Sequence, residues 1–134
     1  MNEGFGLVVR FSLRDQECAA AFDELCAVTL EGIRADEPGT LAYVVHVPEG
    51  EPLVRVFYEL YADRVAFDAH EAQPHTRRFL ARREQYLAGV EVTFLDVIGG
   101  KGAGWERRRP PGPVGSGGRL GPGARGPWLL RGPF

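Results

Sequence analysis

The chain has 134 residues and a formal net charge of −2, with 44% hydrophobic and 25% charged residues, the size and balance of one globular domain rather than two. That average hides a division: residues 1–98 hold nine arginines against seventeen acidic residues, net −8, whereas residues 99–134 hold seven basic residues against one glutamate, net +6. The absence of an apolar run of about 18 residues and of a charged-then-apolar leader predicts a cytoplasmic protein with no membrane partner, and the whole-chain charge balance of −2 predicts no nucleic-acid partner.

From Phe5 to Leu13 the apolar residues Phe5, Leu7, Val9, Phe11 and Leu13 alternate with smaller or polar ones, the period of a half-buried strand. Asp15 is placed to cap a helix over about Gln16 to Arg34, in which Cys18, Phe22, Leu25, Thr29 and Ile33 recur every three or four residues. Cys18 and Cys26 are eight residues apart in that helix, about 12 Å along its axis, too far for a disulfide within it. No paired Cys/His spacing accompanies them, so two reduced thiols and no metal are expected. Glu37-Pro38-Gly39-Thr40 has the chemistry of a turn and stops the helix.

Two strands follow, Leu41 to Val47 and Leu53 to Tyr61, joined by the hairpin loop Pro48-Glu49-Gly50-Glu51-Pro52. The second places Leu53, Arg55, Phe57, Glu59 and Tyr61 on one face and Val54, Val56, Tyr58 and Leu60 on the other. Asp63 caps a short helix through His70. Pro74 opens another with Phe79, Leu80 and Tyr86 inward and Arg77, Arg78, Arg82 and Arg83 outward, ending at Gly89. Val90 to Ile98 reads as the last strand. Beyond it, half of residues 99–134 are glycine or proline and only nine are apolar, too few to offset backbone ordering, so a disordered tail is expected there and a folded domain over 1–98. The order β-α-β-β-α-β is ferredoxin-like, an α+β fold with an antiparallel sheet and its helices on one face. Strands apolar on both faces leave the other side of the sheet to a partner, and a homodimer with sheets face to face is the simple solution.

Arg34-Ala35-Asp36-Glu37-Pro38-Gly39-Thr40-Leu41-Ala42-Tyr43, then Glu59-Leu60-Tyr61-Ala62-Asp63, then Ala66-Phe67-Asp68-Ala69-His70 with Pro74-His75 resemble, in order and spacing, the antibiotic biosynthesis monooxygenase family. The resemblance spans about residues 4–98. It implies a dimeric α+β barrel with one pocket per subunit between sheet and helices. It also implies oxidation of a small quinol or phenol by dioxygen with no metal, flavin or haem. In such chemistry the protein binds the aromatic substrate, assists loss of its phenolic proton and excludes water. The tryptophan and asparagine used by the family's polycyclic oxidases have no counterpart in the body: the tryptophans are Trp105 and Trp128, and the only asparagine is Asn2.

His70 is the candidate base, since an imidazole titrates near neutrality and can take a phenolic proton. Glu59, on the preceding strand, is the candidate carboxylate to orient it; equally, the two residues would form a structural pair pinning helix to sheet. Tyr43, Tyr61, Phe57, His75 and Arg55 are candidate substrate contacts, Arg55 alternatively forming an ion pair and the tyrosines alternatively belonging to core and interface. A non-catalytic small-molecule-binding dimer and an acid/base isomerase fit the same residues.

Overall fold

The alternation of the first strand is realised in full. In the computed structural model, which describes residues 4–102, β1 (Phe5–Leu13) buries Phe5, Leu7, Val9, Phe11 and Leu13 on one face. The Asp15 carboxylate accepts the Cys18 N–H at 2.8 Å and starts α1 (Gln16–Asp36), satisfying one of the unpaired N–H groups of the helix end. Phe22, Cys26, Thr29 and Ile33 form its buried stripe.

The chain continues through β2 (Thr40–His46), β3 (Val54–Tyr61), α2 (Arg64–Ala72), α3 (Pro74–Arg82), a 3-10 turn (Arg83–Tyr86) and β4 (Leu87–Asp96). All strand pairings are antiparallel and the sheet order is β2-β3-β1-β4. This is the ferredoxin-like α+β arrangement. Phe11 lies at its centre, its ring 4.7 Å from Phe57 and 5.1 Å from Phe22; burial of each such ring contributes roughly 2–3 kcal/mol.

Two details depart from the sequence pattern. Gly89, expected to end a helix, lies inside β4 opposite Ser12, and the Arg14 N–H donates to the Tyr86 carbonyl at 3.1 Å. Pairing with β1 therefore claims residues that local periodicity assigns to the helix. Arg83, expected on the solvated face with Arg77, Arg78 and Arg82, is fully buried with its guanidinium 5.7 Å from the centre of the Phe11 ring. The switch from α-helix to the tighter 3-10 turn changes the direction in which position 83 points.

Cys18 and Cys26 are free thiols, and burial pushes Cys26 up to about 12. The sheet face opposite the helices carries Val44 and Tyr58, 45% and 36% exposed. Among the described residues no helix is long and apolar enough to cross a membrane. Most of the expected tail, residues 103–134 with both tryptophans, lies outside the described residues, as does Asn2.

Candidate active site

The turn between α1 and β2 sets the site. The Gly39 carbonyl accepts the Ala62 N–H at 2.9 Å. A Cβ on Gly39 would stand 2.6 Å from that of Ala66, so only glycine lets the turn lie against α2. Ala66 and His70 are four residues apart and share a face of that helix. The turn that meets Ala66 through Gly39 thus brings Glu37 to His70.

Glu37 is buried, and both its oxygens are engaged. Oε1 lies 2.9 Å from His70 Nδ1 and accepts the Thr40 hydroxyl at 2.7 Å, while Oε2 bonds to His75 Nε2. The Thr76 hydroxyl lies 3.4 Å from the same His70 nitrogen. Burial alone would raise the Glu37 carboxyl. The hydrogen bond and charge of His70, the Thr40 hydroxyl and His75 outweigh it and hold the group below the ordinary carboxylate value. An ionised carboxylate only accepts, so His70 Nδ1 carries the proton it donates to Oε1. In the neutral ring the free lone pair is then on Nε2, and that atom is buried without a hydrogen-bond partner among the described residues.

Aromatic rings surround the imidazole, with Tyr61 at 5.4 Å, Tyr43 at 5.6 Å and Phe67 at 6.4 Å between centres. The Tyr61 hydroxyl donates to Glu59 Oε1 at 2.6 Å, and Glu59 Oε2 is buried without a hydrogen-bond partner among the described residues. Burial pushes Glu59 up to about 8, helped by the charges of Glu71 and Glu37 and opposed by the Tyr61 bond and Arg83. Desolvation, followed by the charge of Glu59, raises both Tyr43 and Tyr61 well above the usual phenol value. Tyr43 is half-buried and also lines an outer groove of ≈ 510 Å³ with Leu30, Ile33, Arg34, Glu37 and the β2 edge. Its hydroxyl makes no hydrogen bond among the described residues.

His70, His75, Tyr43 and Tyr61 are therefore brought together, and Phe57 packs 5.7 Å from Tyr43. Arg55 is not: its guanidinium is committed to Asp23 of α1 at 2.8 and 3.0 Å and to the Pro52 and Val54 carbonyls. Glu59 shares the buried array but does not orient His70. Tyr61, two residues on and on the same face of β3, takes its carboxyl, and Glu37 takes the imidazole.

Glu37 and Gly32 escaped the sequence pattern, yet both carried a signal. An acidic residue at a helix C-terminus opposes the helix dipole. A glycine inside a helix costs about 1 kcal/mol relative to alanine. A Cβ on Gly32 would stand 2.3 Å from His75 Nδ1, so that glycine makes room for the second histidine.

The sequence profile of the antibiotic biosynthesis monooxygenase family matches residues 5–82, the stretch that builds β1 through α3 and supplies Glu37, His70 and His75. The chain belongs to that family. No functionally curated protein matches it by sequence. Among solved structures, Rv0793 from Mycobacterium tuberculosis is 26% identical, with 72% of this chain and 97% of that one covered at a TM-score of 0.66. A chain named antibiotic biosynthesis monooxygenase is 25% identical, covering 71% and 99% at a TM-score of 0.64. A Caulobacter crescentus CB15 protein, 24% identical over 73% and 92% at a TM-score of 0.68, shares the fold.

Proposed function

We propose that the protein is a cofactor-independent monooxygenase that oxidises a small quinol or phenol with dioxygen. The observation that carries this reading is the state of His70: Nδ1 is tied to an ionised carboxylate, and Nε2 is buried among aromatic rings with no hydrogen-bond partner among the described residues. Such an imidazole is oriented to accept a proton from a phenol, and the Glu37 charge stabilises the imidazolium that forms. The phenolate then reduces dioxygen. The resulting ring-carbon hydroperoxide loses water to leave a quinone, so one oxygen atom enters the product and the other leaves as water. The protein's part is to bind, deprotonate and exclude solvent.

Tyr43 and Tyr61 contact the substrate, with Phe57 behind Tyr43. His70 is only 1% exposed, and Tyr43 both packs 5.6 Å from its ring and lines the outer groove; outward rotation of Tyr43 admits the substrate. The working unit is a homodimer whose apolar sheet faces, with Val44 and Tyr58, cover each other to form the α+β barrel. Metal-free protein supplied with a panel of hydroquinones and naphthols in an oxygen electrode is expected to consume oxygen. His70→Ala is expected to lose at least a hundredfold in rate while retaining its circular dichroism. No uptake across the panel, or uptake unchanged in His70→Ala, overturns the proposal.

A further inference from the structure

We infer that His75 is a positioning residue, seated by Gly32, that holds Glu37 in the one orientation which keeps the His70 proton on Nδ1 and its lone pair on Nε2. The inference rests on His70 being the base of the proposed reaction. A carboxylate can rotate about its last bond and offer either oxygen to a neighbour. Glu37 is restrained at both: Thr40 and His70 occupy Oε1, and among the described residues His75 alone occupies Oε2. Released from His75, the carboxylate turns, and its Oε1 contact with His70 Nδ1 is no longer enforced. The proton on the His70 ring then distributes between its two nitrogens, and the fraction with a free lone pair at Nε2 falls.

Gly32 is an independent observation pointing to the same device. It lies within α1, where nothing in the helix backbone calls for glycine. A methyl group there would meet His75 Nδ1 at 2.3 Å, Cγ at 2.5 Å and Cε1 at 2.9 Å. Atoms of the ring nearest the backbone are included, so rotation of the ring alone does not relieve the contact. The imidazole must shift by roughly an ångström to reach ordinary packing distance, a displacement as large as the distance margin of its hydrogen bond to Glu37. His75 is itself buried beside α1, so its displacement disturbs packed neighbours.

The test reads the tautomer directly, in the full-length protein without substrate, from imidazole 15N shifts of uniformly 15N-histidine-labelled samples at mildly alkaline pH. Wild type is expected to show His70 in the Nδ1–H form. His75→Leu and Gly32→Ala are each expected to shift His70 toward a mixture of both tautomers and to slow oxygen uptake about tenfold, chiefly in kcat. His75→Gln, which keeps an N–H donor for Oε2, is expected to restore both readings. If His75→Leu does not fold, Gly32→Ala carries the test, since it leaves His75 itself in the chain. A wild-type His70 protonated on Nε2, or an Nδ1–H signature unchanged in folded His75→Leu or Gly32→Ala, overturns the inference. Tautomer changes as expected in a protein that oxidises no quinol would uphold the positioning role and overturn the proposed reaction.

Discussion

Nδ1 of His70 stands 2.9 Å from Oε1 of Glu37, across 33 residues of sequence and at the junction of α1, β2 and α2. A buried carboxylate that gathers two imidazoles and a hydroxyl supports the packing of all three elements. Glu37→Ala leaves those donors without an acceptor, and the expected loss is about 3–5 kcal/mol in urea unfolding, the range for removing one partner of a buried pair. Glu37→Gln preserves the shape and is expected to cost less. Because the folded carboxyl lies below its ordinary 4.5, its contribution is present above that value and is lost as pH falls through the lowered one.

Glu59 imposes the opposite dependence. Its carboxyl is pushed from 4.5 up to about 8 by burial. Below about 4.5 folded and unfolded states both hold the proton. Between there and about 8 only the folded state does, so stability declines as pH rises across that window and levels off beyond it, by on the order of 5 kcal/mol. Glu59→Gln stays neutral throughout. Urea titrations from pH 5 to 9 are expected to show the decline in wild type and a flatter profile in the variant.

The two tyrosines beside His70 separate binding from stability. Tyr61→Phe removes the donor to Glu59 Oε1 and strands a second buried oxygen of that group, an expected cost of about 1–3 kcal/mol. Tyr43→Phe removes a hydroxyl with no protein partner among the described residues. Its unfolding midpoint is expected to stay at the wild-type value while KM for a quinol rises severalfold, as measured by oxygen uptake.

Asp63 secures the helix that carries His70, its Oδ1 accepting the Ala66 N–H at 2.8 Å. Asp63→Ala is expected to cost about 1 kcal/mol. Hydrogen exchange is expected to quicken in the first turn of α2, and loosening there reaches Ala66, the residue that seats Gly39.

The fold was legible because its signals are local. The alternation from Phe5 to Leu13, the caps Asp15 and Asp63, and Pro74 at a helix start each describe their own segment, and packing agrees with them. The site was legible in part. His70, His75, Tyr43 and Tyr61 stand out as residues able to do chemistry, and the structure brings them together. Their connections did not show: Glu37 reads as a turn residue until the turn is docked on α2, and Glu59 faces the right side of the sheet but is taken by Tyr61. Arg83 has the sequence context of a solvated arginine and becomes buried only because a helix tightens into a 3-10 turn. Hydrogen-bond partners 33 and 38 positions apart are set by three-dimensional register, which periodicity does not encode.

Removal of the phenolic proton by His70 is tested most directly without oxygen. A naphthol whose anion has its own absorption band is mixed anaerobically with the protein, at a pH where the free naphthol is neutral. Wild type is expected to develop the naphtholate band on binding, and His70→Gln to bind the naphthol without it. A band of equal size in His70→Gln, or bound naphthol that remains neutral in wild type, would contradict the account.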